Sequence, residues 1–283
     1  METAVQTVYD KSAERLGRWL RGFERVFVLT GAGCSTASGI PDYRDADGQW
    51  KRSQPVTFQA FTGDALVRAR YWARSFIGWP RIDQARPNAA HRALAAWQVG
   101  GRVSQLLTQN VDGLHQRAGS RNVVDLHGRL DQVVCLQCAQ VSPRIALQQR
   151  LRADNPEWAH LGAASAPDGD ADLEGHDFSR FRIPACERCG GMLKPDVVFF
   201  GESVPRPRYE AARDALEASD ALLVVGSSLM VYSGFRFARM AHEAGIPIAI
   251  LNRGHTRADG LAGLKLDADC VSTLAATLDD ARA

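Results

Sequence analysis

The stretch Val26-Phe27-Val28-Leu29-Thr30-Gly31-Ala32-Gly33-Cys34-Ser35 carries the first decision about the fold. Its apolar run has no polar alternation, the mark of a strand covered on both faces. It ends in a glycine turn, and Ser35 behind the turn suits a helix N-cap. Bare backbone N–H groups at such a strand-to-helix junction form a site for phosphate. A simple tight turn accounts for the same glycines, because the dinucleotide fingerprint would place glycine where Thr36 stands.

Further runs of this kind follow at Val103 to Leu107, Val123-Val124, Leu222 to Val225 and Ile248 to Leu251. Between the later runs, Tyr209 to Ala218 and Phe235 to Ala244 repeat apolar residues at helical spacing, and Gly245-Ile246-Pro247 supplies a stop. Strands alternating with crossover helices predict an α/β fold with a parallel sheet. A second glycine turn, Gly226-Ser227-Ser228, follows a strand, and another strand ends at Asn252, whose side chain suits a ribose hydroxyl. Three such strand ends at one sheet edge predict a dinucleotide crevice.

Two segments interrupt the alternation. Asp45 to Arg86 is aromatic and basic without strand periodicity and reads as a helical insertion. Leu130 to Pro195 holds two C-x-x-C pairs, with an Ala/Asp/Gly-rich exposed loop at Gly162 to Gly175. The full expectation is one domain over residues 1–283, with a Rossmann-like parallel sheet in a large lobe (20–45, 87–130, 196–283). A smaller lobe would combine the helical insertion (46–86) with a zinc-ribbon module (131–195).

Composition excludes other classes. The 283 residues are 45% hydrophobic and 23% charged, and 34 Lys plus Arg against 32 Asp plus Glu leave a net charge of +2. That balance offers no bulk attraction for nucleic acid or an anionic membrane, and no apolar run reaches the ~20 residues of a bilayer span. The N-terminus lacks a signal or presequence pattern, so the chain reads as cytoplasmic, with a monomer favoured.

Cys135, Cys138, Cys186 and Cys189 match a closed tetrahedral Zn²⁺ shell, which would make the metal structural. A redox C-x-x-C is the rival reading. His127 ends the Val123 to Leu126 strand beside Gln109-Asn110-Val111-Asp112, which ends its neighbour. A histidine there can serve as a general base near neutral pH or simply as a satisfied structural group.

At this point the chain resembles the sirtuins. Gly31-Ala32-Gly33-Cys34-Ser35-Thr36-Ala37-Ser38-Gly39-Ile40-Pro41-Asp42-Tyr43-Arg44 looks like their first signature, Thr108 to Asp112 their second, and Leu126-His127-Gly128 their catalytic histidine motif. The cysteine pairs, Lys194 to Glu202 and Gly226-Ser227-Ser228-Leu229 follow in family order. Within the family, Tyr71-Trp72-Ala73-Arg74, Gly78-Trp79-Pro80 and Pro87 to His91 are similar to class II members, nearest the sirtuin-four subgroup.

The resemblance implies NAD-dependent transfer of an acyl group from lysine to ADP-ribose, with nicotinamide expelled. In that scheme the acyl oxygen attacks the anomeric carbon and His127 then acts as base on a ribose hydroxyl. It further implies that Asn110 and Asp112 orient the nicotinamide ribose and its water, with Gln109 on the ribose. Gly31, Gly33, Ser35, Gly226, Ser227 and Ser228 would hold phosphates and ribose. Ala32, Pro41, Asp42, Arg44 and Val111 would line the nicotinamide and phosphate regions, with Asn252, Arg253, Gly254 and Cys270 around adenosine. An acylated lysine peptide would add as a strand along Val198-Phe199-Phe200-Gly201.

Tyr71 and Arg74 form a pattern that receives an acidic acyl tail in some relatives. Trp72, Phe76 and Trp79 nearby suit a bulky apolar one. Tyr43 and Ser233 depart from the commoner Phe and Pro of the family, which bears on plain deacetylation rather than on NAD binding. Mono-ADP-ribosyl transfer or a lipoamidase-type activity in the same site, and a NAD-binding or zinc-ribbon module without catalysis, are the competing readings.

Overall fold

A computed structural model of the chain describes residues 2–42, 45, 51, 55–161, 173 and 175–280. Tyr43, Arg44 and most of the Gly162 to Gly175 loop lie outside them.

Six strands form one parallel sheet in the order β3-β2-β1-β7-β8-β9. They are β1 (Val26–Thr30), β2 (Val103–Thr108), β3 (Val123–Asp125), β7 (Ala221–Val225), β8 (Ile248–Leu251) and β9 (Leu264–Leu266). A second, antiparallel sheet orders β5 (Val141–Pro143), β4 (Gly128–Cys135) and β6 (Leu193–Val197). The α-helices are α1 (Glu2–Leu20), α2 (Phe58–Gly63), α3 (Ala65–Gln84), α4 (Ala89–Val99), α5 (Leu114–Arg117), α6 (Arg144–Asp154), α7 (Arg206–Glu217), α8 (Tyr232–Glu243) and α9 (Cys270–Asp280).

The continuous apolar strands have the expected cause. Val26 and Val28 of β1 point to a layer made by Leu16, Leu94 and Leu274 of α1, α4 and α9. Phe27 and Leu29 point the other way, to Ala212, Leu216, Phe237 and Ala241 of α7 and α8. Both faces are covered, so side chains alternating in direction are all apolar. The strands the sequence suggested are present, but β9 and α1 carry no pattern strong enough to have been singled out.

One local expectation fails. Ser35 caps no α-helix, since the chain after Gly31 makes two short 3-10 turns, Ala32–Cys34 and Thr36–Ser38, without a side-chain cap. The Ser35 hydroxyl is committed instead to Asp112 Oδ2 at 2.7 Å, which holds the turn against the end of β2.

The aromatic insertion is helical as expected, in α2 and α3, and it shares a core with the cysteine-bearing sheet. Phe61, Trp72 and Phe76 pack with Val133, Leu147, Leu151 and Leu193. Arg144 of α6, 1% exposed, lies over the rings of Trp72 and Trp79 at 5.4 and 5.0 Å. These tryptophans and Phe76 therefore belong to the core rather than to an acyl channel, and Arg144 ties α6 to α3 by cation–π contact.

The two sheets meet at one residue. Leu126 still hydrogen-bonds to β2, N to Thr108 O at 2.9 Å, while Gly128 at φ +80° turns the chain into β4. A Cβ at Gly128 would run into the Asp196 carbonyl of β6. Gly128→Ala is accordingly expected to cost about 3 kcal/mol or more of unfolding free energy in urea titration, combining positive-φ strain with the clash.

Candidate active site

The C-terminal ends of β1 and β7 form the point where the sheet order reverses, and the glycine turns beyond them touch. A Cβ on Gly31 would lie 2.7 Å from Ser227 Cβ, and one on Gly226, at φ +59°, would lie 2.5 Å from Cys34 N. The glycines are thus demanded first by this mutual backbone approach, and the crevice they open follows from it.

A cavity of about 740 Å³ runs from this crevice to the junction of the two sheets. The turns contribute Gly31, Ala32, Gly33, Ser35, Gly226, Ser227 and Ser228 to its wall. The end of β2 adds Gln109, Asn110, Val111 and Asp112, with Pro41, Asp42, Asn252 and Arg253 nearby. His127, Tyr71 and Val198 to Gly201 complete the expected set. Cys270 lines an adjoining hollow of about 420 Å³ with Gly33, Asn252 and Arg253.

Two expected residues do not line either space. Gly254 gives its N–H to Asp267 Oδ1 at 3.0 Å, and Arg74 is half-buried on α3. Arg44 falls outside the described residues.

His127 is held by two hydrogen bonds. Its Nδ1 lies 3.0 Å from the Gln109 carbonyl, an acceptor only, so Nδ1 carries the proton. Burial lowers its pKa below the ordinary 6.5, so the ring is neutral at pH 7 and Nε2 presents a lone pair. That lone pair accepts from Ser233 Oγ at 2.8 Å. Gln109 is itself fixed: its N donates to Thr30 O at 3.0 Å and its Oε1 accepts from Ser227 Oγ at 2.6 Å.

Asn110 and Asp112 are tied into the wall. Asn110 Nδ2 donates to Gly31 O at 3.0 Å and Ser35 Oγ at 3.1 Å, which directs the amide nitrogen at the glycine turn. Asp112 is 9% exposed; besides Ser35, it accepts from Leu114 N at 2.8 Å. Burial raises its pKa, and both oxygens serve the loop.

Residues 198 to 201 are braced from within the chain. Val198 N donates to His127 O, Phe58 N to Phe200 O, and Gln59 Nε2 to Gly201 O. Phe199 N donates to Glu202 Oε2, whose carboxylate pairs with buried Lys194 at 3.1 Å. The sequence motifs include Lys194, Glu202 and Ser233 without showing the contacts they make, and Gly234 was missed altogether; a Cβ on Gly234 would strike the Gln109 amide. The contacts of Ser233 and Gly234 with His127 and Gln109 arise only where the fold brings the start of α8 beside the end of β2, so no local pattern shows them.

The four paired cysteines converge, their sulfurs within 4.8 Å of one another. Cys135 and Cys189 are 3.5 Å apart and Cys138 and Cys186 3.8 Å, far beyond a disulfide and close to the ~3.8 Å edge of a ZnS₄ tetrahedron. Each pair sits on the same loop: Ala139 N donates to Cys135 O and Gly190 N to Cys186 O, with Ala139 and Gly190 both at positive φ. The Cys138 backbone N–H holds the Cys135 thiol down at about 6, whereas the Cys138 side chain pushes Cys189 up to about 12. Four crowded thiols ionise together only around a cation, so the donor set fits Zn²⁺ and not a redox pair.

The Sir2 family profile matches residues 31–233. The chain belongs to the Sir2 family. A Bordetella bronchiseptica protein named NAD-dependent protein deacetylase is 62% identical over 262 residues, covering 93% of this chain and 96% of its own. Among solved structures, Sir2 with a p53 peptide and NAD+ aligns with a TM-score of 0.76 at 28% identity, over 93% of this chain and 95% of that one. A Sir2 variant with deacetylated p53 peptide and 3'-O-acetyl-ADP-ribose reaches 0.77 at 29%, over 94% and 97%.

Purified Sir2-family chain is expected to carry a single tightly held zinc by plasma mass spectrometry, and Cys186→Ser to lose most of it together with several degrees of melting temperature. Full zinc content in that variant would refute the four-sulfur shell.

Proposed function

We propose a division of labour among the cavity residues for NAD-dependent deacylation of protein lysine, the activity this chain shares with its relatives. The observation that carries it is the neutral His127 ring, locked by the Gln109 carbonyl with its basic nitrogen facing the cavity. NAD, consumed as co-substrate, supplies a carbon that nicotinamide leaves and the ribose hydroxyls; the reaction ends in acyl-ADP-ribose.

The touching glycine turns, with Ser228, Asn252, Arg253 and the Cys270 backbone, hold the dinucleotide. Asn110 and Asp112 keep the turn in place, and Asn110 leaves its amide oxygen for the ribose or a water. Val198 to Gly201 receives the peptide, and Lys194 with Glu202 keeps that wall rigid. His127 Nε2 takes the ribose proton. Desolvation favours its neutral form, so the base is ready at neutral pH.

The acyl tail lies toward Tyr71. Val56 and Phe199 line the cavity and share the apolar cluster of Tyr71, whose ring packs on Phe61 and Phe199 at 5.4 and 5.2 Å. This lining supports an apolar acyl group over an acidic one. Class II kinship, a monomeric state and a cytoplasmic location are part of the same proposal. No helix among the described residues is long and apolar enough to cross a membrane.

The test is mass spectrometry with NAD and lysine peptides carrying acetyl, longer apolar, lipoyl, succinyl and glutaryl groups. Apolar acyl groups are expected to leave fastest as acyl-ADP-ribose. Faster loss of succinyl or glutaryl would reverse the tail assignment, and ADP-ribose mass on protein without acyl loss would favour mono-ADP-ribosyl transfer.

His127→Ala should retain nicotinamide exchange and lose at least about a hundredfold in acyl transfer. Because burial depresses the His127 pKa, the acid limb of wild-type kcat/KM should fall below pH 6.5, with the base becoming inactive only as pH drops beneath that value. A limb above pH 6.5 would contradict this assignment.

A further inference from the structure

The reading of His127 as base leaves one contact unused. Ser233, in the first turn of α8, places its Oγ 2.8 Å from His127 Nε2, the same atom that must accept the ribose proton. The lone pair on Nε2 has room for one hydrogen. A ribose hydroxyl and the Ser233 hydroxyl therefore compete for it.

Ser233 is not needed to aim the ring. The Gln109 carbonyl already fixes both tautomer and orientation through Nδ1, and Gln109 is secured by Thr30 and Ser227. Nor does Ser233 sit there by chance of a loose segment. Its neighbour Gly234 is buried with its Cα against the Gln109 side chain, and Gly234 N and Phe235 N both donate to Val231 O. The hydroxyl is thus presented to Nε2 from a packed helix start.

We propose that Ser233 is a positioning residue that masks the His127 lone pair and so sets how often nicotinamide departure is followed by acyl transfer. This rests on the deacylase reading above. Nicotinamide leaves before the base acts, so that step does not require Nε2. In the next step the ribose O–H bond breaks, its proton passes to Nε2, and the oxygen bonds to the acyl carbon. The C=N electron pair withdraws onto the lysine nitrogen, and His127 becomes the imidazolium. Before this happens, the Ser233 hydrogen bond must be given up. Slowing the second step and not the first leaves more time for nicotinamide to return, which favours exchange over transfer.

The experiment compares wild type, Ser233→Ala and Ser233→Thr with the best acyl peptide and NAD. Two rates are read: exchange of labelled nicotinamide into NAD, and formation of acyl-ADP-ribose. A net hydrogen bond of ordinary strength predicts that Ser233→Ala raises acyl-ADP-ribose formation about fivefold while exchange stays level or falls. Ser233→Thr, which keeps a hydroxyl, should behave as wild type. As a readout without NAD, ¹⁵N NMR of labelled histidine should show the His127 Nε2 signal moving toward that of an unbonded lone pair in Ser233→Ala and not in Ser233→Thr. Unchanged acyl transfer, both rates moving in the same direction, or an unmoved Nε2 signal would overturn the proposal. Should the wild type transfer no acyl group at all, the deacylase reading fails, while the NMR arm still decides whether Ser233 holds the lone pair.

Discussion

Everything in the site depends on two backbone turns approaching closer than any side chain would allow. Gly31 and Gly33 beyond β1 rest on Gly226 and Ser227 beyond β7, with Gly33 N donating to Gly226 O at 2.9 Å. Their contact closes the base of the crevice, and the same turn positions Ser35 against Asp112 and Asn110 against Gly31. The glycines therefore act by permitting the approach, and their own N–H groups are taken up within the chain, Gly31 by Val225 O, Gly33 by Gly226 O and Gly226 by Leu251 O, rather than left bare for a phosphate.

From that base the arrangement passes through β2 to the catalytic edge. Three polar groups of Gln109 serve alignment: its N on β1, its side-chain oxygen on Ser227, its carbonyl on His127. A carbonyl partner fixes the imidazole tautomer without adding charge, so the ring stays neutral and basic at Nε2. Desolvation lowers the pKa, the Gln109 carbonyl raises it in part, and the Arg208 charge lowers it again, so burial decides the direction. The basicity of His127 is thus governed first by burial, with the Gln109 carbonyl and the Arg208 charge as smaller influences.

The smaller sheet contributes position rather than chemistry. The sulfur cluster holds β4 and β6 at their far ends, and the Arg144 guanidinium between Trp72 and Trp79 joins α6 to α3. Through β6 this support reaches Asp196, Lys194 and Glu202, and so the wall at residues 198 to 201. Arg208 completes the brace by pairing with Asp196 at 2.8 Å. The four sulfurs thus lie at one end of the strands whose other end leads to His127 and to residues 198 to 201.

Much of this was legible in the residues alone. The apolar runs marked the parallel strands because burial on both faces leaves no polar alternation, and the cysteine spacing marked the metal shell because two sulfurs three residues apart reach one ion. Order and wording of the motifs identified the family and the cavity-lining set. The sequence could not show that Ser35 would abandon a helix cap for Asp112, that Trp72, Phe76 and Trp79 would enter the core while Tyr71 alone lined the cavity, or that Arg74 and Gly254 would stand back from it. Nor could it show that Ser233 would reach His127 across more than a hundred residues. Local pattern records which residues can be buried, capped or ligating. Which partner each finds depends on how two sheets meet at Gly128, and that meeting exists only once the chain has folded.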